Sequence, residues 1–269
     1  MFLVIRKLKR MVETHAKIAK EIRKTVLDMI FRAQVSHIGS NFSCIDILTV
    51  LYSKMDTKKD KLVVSKGWVA ASVYALNVKY GYMPQEAIDT YCDGVSKYIG
   101  LIEPIGYFGC ETASGSMGLG LPTAVGLALA KKLKGEEGNV YCIMSDGEQQ
   151  IGTTWESALI ASQHKLDNLV VIVDYNKLQA MGKVEDILNI EPLAKKWESF
   201  GWTVKGIDGH DFRELEIYLS FAYPKDKPVI IICDTIKGKG VSFMENDNLF
   251  HYKAPNEKEY EEALRELHG

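Results

Sequence analysis

Neither sign of charge prevails in this chain: 33 lysines and arginines stand against 35 aspartates and glutamates, a formal net charge of −2. So balanced a surface advertises no polycation to nucleic acid or to anionic lipid, and neither is expected as a partner. Cysteines are few and scattered: Cys44, Cys92, Cys110, Cys142 and Cys233 are odd in number and form no C-x-x-C pair. Buried reduced thiols in a cytoplasmic protein are the expectation. No apolar run approaches the roughly 20 residues of a membrane span. The apolar tip at Phe2 to Ile5 runs on into amphipathic helical periodicity instead of a cleavable signal. There is no internal repeat, low-complexity tract or linker, so residues 1–269 are read as one domain. With 46% hydrophobic and 25% charged residues, the composition is that of an ordinary globular protein and excludes disordered and collagen-like chains.

Two helical patterns open the chain, residues 4–34 and, after the turn His37-Ile38-Gly39-Ser40, residues 43–54. Leu62 to Ser65 reads as a short strand and Trp68 to Tyr80 as a helix. Residues 82–112 are irregular, and a glycine-dense stretch, Ser114 to Gly120, leads into an Ala/Leu/Val helix. Strand and helix then alternate. Val140–Met144, Leu169–Asp174 and Pro228–Cys233 read as strands, with a shorter one at Trp202–Val204. Helices are expected at 153–165, 191–200 and 211–221, the first opened by Thr153 and Glu156 at capping-box spacing. A charged helix, Lys258 to Leu267, closes the chain on the surface. Continuously apolar strands are covered on both faces, which predicts an α/β fold: an open, mostly parallel sheet with helices on both faces.

Ligands of such a sheet bind beyond the carboxyl ends of its strands. Asp146 follows one strand and Asn176 the next, thirty positions on, which is one complete strand–helix–strand unit. With neighbouring strands about 4.8 Å apart, both side chains can reach one ion. One carboxylate and one amide oxygen suit magnesium, which completes its oxygen shell with phosphate and water. Gly147 lets a backbone approach a phosphate closely.

The run Asp146-Gly147-Glu148, Trp155-Glu156, His164 to Leu169 and Asp174 to Gln179 resembles the thiamine-diphosphate fingerprint of transketolases. The resemblance extends to His37-Ile38-Gly39, Ser65-Lys66-Gly67, Gly115-Ser116-Met117-Gly118, and the closing segment Lys237 to Glu245 with His251 and Ala254-Pro255. It implies the thiamine-diphosphate-binding fold and a ketol transfer, moving a two-carbon unit from a ketose (phosphate) to an aldose. It also implies that Asp146, the Asn176 side chain and the Leu178 carbonyl hold Mg²⁺ or Ca²⁺ on the cofactor's diphosphate. The Gly147 amide would touch that diphosphate, Gly115 and Met117 would line the cofactor, and His37 and His251 would serve proton transfer, since histidine titrates near neutral pH. His15, His164, His210 and His268 are expected to be ordinary core or surface groups. The chain stops where a full-length transketolase goes on to a pyrimidine-binding domain, so it is similar to the N-terminal subunit of a split enzyme. A C-terminal partner subunit in an α₂β₂ assembly, and sugar or sugar-phosphate substrates, are the expected partners.

Four positions depart from the family pattern. Ser145 replaces the first glycine of G-D-G, Trp68 stands where a histidine is usual, residues 103–110 offer no donor-site histidine, and Ile151 replaces a common glutamate. A pocket that exchanges hydrogen-bonding groups for an indole loses grip on a hydroxylated donor. Two alternatives are therefore carried: an α-keto acid donor, as in deoxyxylulose-phosphate synthase, and a cofactor-binding subunit without catalytic activity.

Overall fold

The computed structural model describes residues 2–220 and 224–268. A five-stranded sheet forms its centre, with β1 (Lys61–Val64), β2 (Val140–Ser145), β3 (Leu169–Tyr175), β4 (Thr203–Asp208) and β5 (Val229–Asp234). The order is β1-β2-β3-β5-β4 and every pairing is parallel. The open parallel sheet expected from the apolar strand runs is thus present.

Two layers of helix cover it. On one side lie α1 (Phe2–Ala33), α2 (Ile38–Lys54) and α3 (Ala70–Lys79), followed by a single turn, α4 (Glu86–Asp89). On the other lie α5 (Gly120–Lys134) and α6 (Gly152–Gln163), then the short α7 (Val184–Leu188) and α8 (Leu193–Ser199). Helix α9 (Phe212–Tyr218) returns to the first side, and α10 (Glu257–His268) is the last helix. The strands divide their residues between these layers by simple alternation. Tyr141, Ile143, Val170, Ile172 and Ile231 pack with α1–α3. Val140, Cys142, Val171, Val173 and Ile230 pack with α5, α6 and α8. Each fully buried aliphatic side chain of this kind contributes about 1.5–3 kcal/mol.

Several local expectations are corrected. Helix α2 begins at Ile38, five residues before the apolar periodicity, because His37 caps it in the left-handed conformation (φ 75°, ψ 19°). The Thr153/Glu156 capping box does not form. Helix α6 starts one residue earlier, behind an Ile151 cap with no side-chain bond, and the Thr153 hydroxyl donates to the Gly118 carbonyl instead (2.7 Å). The helix expected at 191–200 shortens to α8, that at 211–221 to α9 (residue 221 lies outside the described residues), and α7 is an addition that the sequence pattern does not signal. The closing helix is not simply superficial: Ala263 and Leu267 are buried, and Tyr260 stacks on Phe31 with ring centroids 4.1 Å apart. All five cysteines are unpaired, and four are buried.

Candidate functional site

Four neighbouring strands end on the same side, and each delivers polar residues there: Ser65 and Lys66 after β1, Asp146 after β2, Asn176 after β3, and Thr235 to Lys237 after β5. Register sets the spacing, with Ser145 paired to Asp174 across β2 and β3. The ends of β1, β2 and β3, the cap of α2, the loop before α5 and a 3₁₀ turn at Asn248–His251 enclose a cavity of about 460 Å³. His37, Gly115, Met117, Asp146, Gly147, Asn176, Leu178 and His251, expected from sequence to act together, all line it.

Asp146 is one of two buried acids that line the cavity, with Glu148 (2% exposed against 0%). One carboxylate oxygen accepts the Gly147 amide (2.8 Å) and the other accepts the amide of Lys177 (2.6 Å), the residue next to Asn176. In turn Asn176 Oδ1 accepts the Leu178 amide (3.1 Å). The acid and the amide from successive loops therefore meet at one corner. Burial, then the negative charge of Asp174, pushes the Asp146 carboxyl up to about 7, against the pull of Lys66. A carboxylate so reluctant to ionise alone is one that a cation would relieve. The Gly147 amide, expected at the diphosphate, is here engaged by Asp146. Beyond Gly147 the chain makes a 3₁₀ turn to Gln150 before α6 begins.

Beneath this corner lies an ionic base that the sequence pattern does not single out. Asp174 is fully buried and binds the Lys66 ammonium, the hydroxyls of Ser43 and Thr235, and, at 3.4 Å, the Asn176 amide nitrogen. Burial opposes the Asp174 charge, but Lys66 and the hydroxyls outweigh it and hold the carboxyl below its usual range. Lys237 is also fully buried and, among the described residues, has no ion pair. Its ammonium lies within hydrogen-bond distance of the carbonyls of Leu178 (3.2 Å) and Gln179 (3.4 Å), of Asn248 Oδ1 (3.3 Å) and of His251 Nδ1 (2.9 Å). Burial, with the nearby Lys66, brings its pKa down to about 8. A carbonyl has two lone pairs, so this bond leaves Leu178 one for a cation.

His37 and His251 face each other, ring centroids 4.8 Å apart and edge-on, and the His37 amide donates to the His251 carbonyl (2.9 Å). Burial and then Lys237 pull both down, His37 to about 4 and His251 to about 3. The expectation of titration near neutral pH is corrected: without an anion beside them both rings are neutral. Trp68 stacks on His37 (4.6 Å, 12°), and of the four tryptophans it is the one whose indole N–H meets no acceptor among the described residues. Glu148, fully buried, accepts the Ser65 hydroxyl and the amides of Ser145 (2.7 Å) and Gly118 (3.2 Å). It thereby ties the glycine-rich loop to the ends of β1 and β2. The Gln179 Nε2, buried beside Gly147, has no partner among the described residues. An orphaned donor beside Gly147 and a buried ammonium without an ion pair among the described residues suit an anionic, polyphosphate-bearing cofactor.

The remaining four histidines do not line this cavity. His15 lies buried against Glu216 (3.0 Å), His164 is on the surface and His268 contacts Lys24 (3.1 Å). His210 bonds Asp46 (2.7 Å), which also pairs with Arg23, and accepts the amide of Ile236 (2.8 Å).

Residues 14–269 match the family described as the transketolase, thiamine diphosphate binding domain. The chain is 39% identical over 263 residues to one subunit of the apulose-4-phosphate transketolase of Actinobacillus succinogenes, covering 93% of this chain and 95% of that one. It is 36% identical over 259 residues to a 6-deoxy-6-sulfo-D-fructose transketolase subunit of a Clostridium species, covering 93% and 94%. The crystal structure of transketolase from Campylobacter jejuni superposes with a TM-score of 0.86 at 30% identity, over 93% of this chain and 42% of that longer one. On this agreement of residues, fold and relatives, the chain belongs to the transketolase thiamine-diphosphate-binding-domain family.

Proposed function

We propose that this chain, as a single domain, is the diphosphate-binding subunit of a two-chain, cytoplasmic transketolase that moves a two-carbon ketol unit from a ketose (phosphate) to an aldose. The observation that carries the reading is the corner where Asp146, Asn176 and the Leu178 carbonyl meet over the buried Lys237 ammonium. That donor set is one carboxylate and two neutral oxygens, which fits Mg²⁺ or Ca²⁺ shared with a diphosphate. Thiamine diphosphate, when bound, supplies the thiazolium that serves as electron sink for carbon–carbon cleavage. The chain's own residues do the rest. Asp146, Asn176 and Leu178 hold the cation, and Lys237 adds fixed positive charge. Gly115 and Met117 offer their backbone to the cofactor. His37 and His251, neutral in this cavity, donate and accept hydrogen bonds at substrate oxygens.

The mouth of the cavity is apolar and open: Met181 is 79% exposed, Tyr252 64%, and Trp68 and Met117 a little under half. Such a rim is suited to a partner surface. We assign its cover to a second polypeptide carrying the pyrimidine-binding domain, in an α₂β₂ assembly, a reading supported by two relatives of matching length being named subunits. Because those relatives are named for different sugars, the donor is a ketose of sugar or sugar-phosphate type, without further assignment.

The test is calorimetry and ketol-transfer assay with and without the partner chain. Asp146→Ala is expected to abolish Mg²⁺-dependent cofactor binding, and the native chain alone to transfer no ketol. Unchanged cofactor affinity in the variant would refute the metal corner. Turnover without a partner would refute the two-chain assembly, and carbon dioxide release from pyruvate would move the donor to the α-keto acids.

A further inference from the structure

We propose that Lys237 is a positioning residue that fixes the tautomer of His251, so that His251 presents an Nε2–H donor to the cavity. Three contacts of Lys237 are to oxygen acceptors, two carbonyls and an amide oxygen, and the shortest is to His251 Nδ1 at 2.9 Å. An ammonium has three hydrogens and no lone pair, so it can only donate. His251 Nδ1 must therefore be bare, and the single proton of the neutral ring sits on Nε2. Among the described residues Nε2 has no protein partner, and the ring lines the cavity.

The lysine has little freedom to act otherwise. Its backbone is held on both sides: the Gly238 amide donates to the Gly39 carbonyl (3.0 Å), and the Asn246 amide donates to the Lys237 carbonyl (2.8 Å). Gly238 has φ +82°, and any Cβ there would run into the Met244 carbonyl. From beneath, Arg23 Nε donates to the Lys239 carbonyl (2.8 Å), and His210 accepts the Ile236 amide. The turn thus delivers one ammonium to two places at once, the Leu178–Gln179 carbonyls and the His251 ring. In the way a buried carboxylate fixes the tautomer of a hydrolase histidine, a buried cation here fixes the opposite one.

The consequence for turnover rests on the transketolase reading, but the tautomer does not, and this separates the two in experiment. Two-bond ¹H–¹⁵N NMR on the full chain, with histidine nitrogens labelled and His251 assigned by His251→Gln, reads the tautomer without cofactor or partner. The native chain is expected to show His251 as Nε2–H across pH 6–7, where Lys237 is an ammonium. Lys237→Met should mix the two tautomers, while Lys237→Gln, whose amide can still donate, should restore Nε2–H; thermal melts confirm that each variant folds. With partner, cofactor and Mg²⁺, Lys237→Met should lower kcat about tenfold or more with a smaller change in donor KM, and Lys237→Gln should recover part of it. A His251 Nδ1–H tautomer in the native chain overturns the proposal, and so does a folded Lys237→Met chain that keeps an unchanged Nε2–H signature. The native measurement decides even if the methionine variant fails to fold.

Discussion

Trp68 lies at the mouth of the cavity, and its surroundings make it a reporter. The other three tryptophans pack together away from the cavity, Trp155 and Trp202 both against Trp197, and each donates its indole N–H to a protein oxygen. Trp68 is 42% exposed at the cavity mouth. Cofactor with Mg²⁺ is therefore expected to change the solvent-facing part of the tryptophan fluorescence in the native chain. Trp68→Phe should abolish that change while calorimetry still records binding, at a stability cost of about 1 kcal/mol or less, since the ring stack on His37 survives. An undiminished signal in the phenylalanine variant would put the cofactor elsewhere. Residues of this cavity differed in how legible they were. Asp146 and Asn176 could be read because one strand–helix–strand unit separates them and because both follow apolar strands. Lys237 could not: of the two lysines in Lys237-Gly238-Lys239-Gly240, one is fully buried and the other pairs with Glu245, a difference that only the fold of the turn decides. The depressed basicity of His37 and His251 was hidden for the same reason, since it comes from burial and from cations distant in sequence.

Among the elements, the glycine-rich loop is the one most dependent on its neighbours. It has little regular structure of its own, and Glu148 and Thr153 fix it through the Gly118 amide and carbonyl. Gly118 has φ +81°, and a Cβ there would meet the side chain of Ile151. Gly118→Ala should cost about 2–3 kcal/mol in stability, from the left-handed backbone and from overpacking against Ile151. It should also weaken cofactor binding, because Gly115 and Met117 ride on the same loop. Urea unfolding and calorimetry measure the two effects; an alanine variant with native stability would mean that the loop is not pinned. The same contacts explain why the capping box misled. Thr153 has the right spacing for a cap, but its hydroxyl is engaged by the Gly118 carbonyl and so does not turn back to the helix end. The four apolar strands, by contrast, were legible nearly to the residue, because an unbroken apolar run in a parallel sheet has only one way to be covered on both faces, whereas β4, expected at 202–204, runs over Thr203–Asp208 and is mostly not buried.

For the molecule as a whole, the cavity imposes opposed pH dependences on folding. His37 and His251 are held at about 4 and about 3, below the ordinary 6.5, so below pH 6.5 the unfolded chain takes up their protons first and stability falls on acidification. Asp146 is held at about 7 against an ordinary 3.8, so between those values the folded chain takes up the proton first and stability rises on acidification. Over pH 5–6.5 the buried acid thus offsets part of what the histidines lose, and the two partly exposed rings contribute less than their shifts suggest because solvent screens them. Asp146→Asn removes the offset. The ligand-free variant should lose stability faster than the native chain as pH is lowered through this range, by up to about 1.4 kcal/mol per pH unit. Urea titrations at several pH values give the two slopes, and every group common to both proteins cancels in their difference. Equal slopes would mean that Asp146 is already ionised in the empty cavity, and that no cation is needed to relieve it.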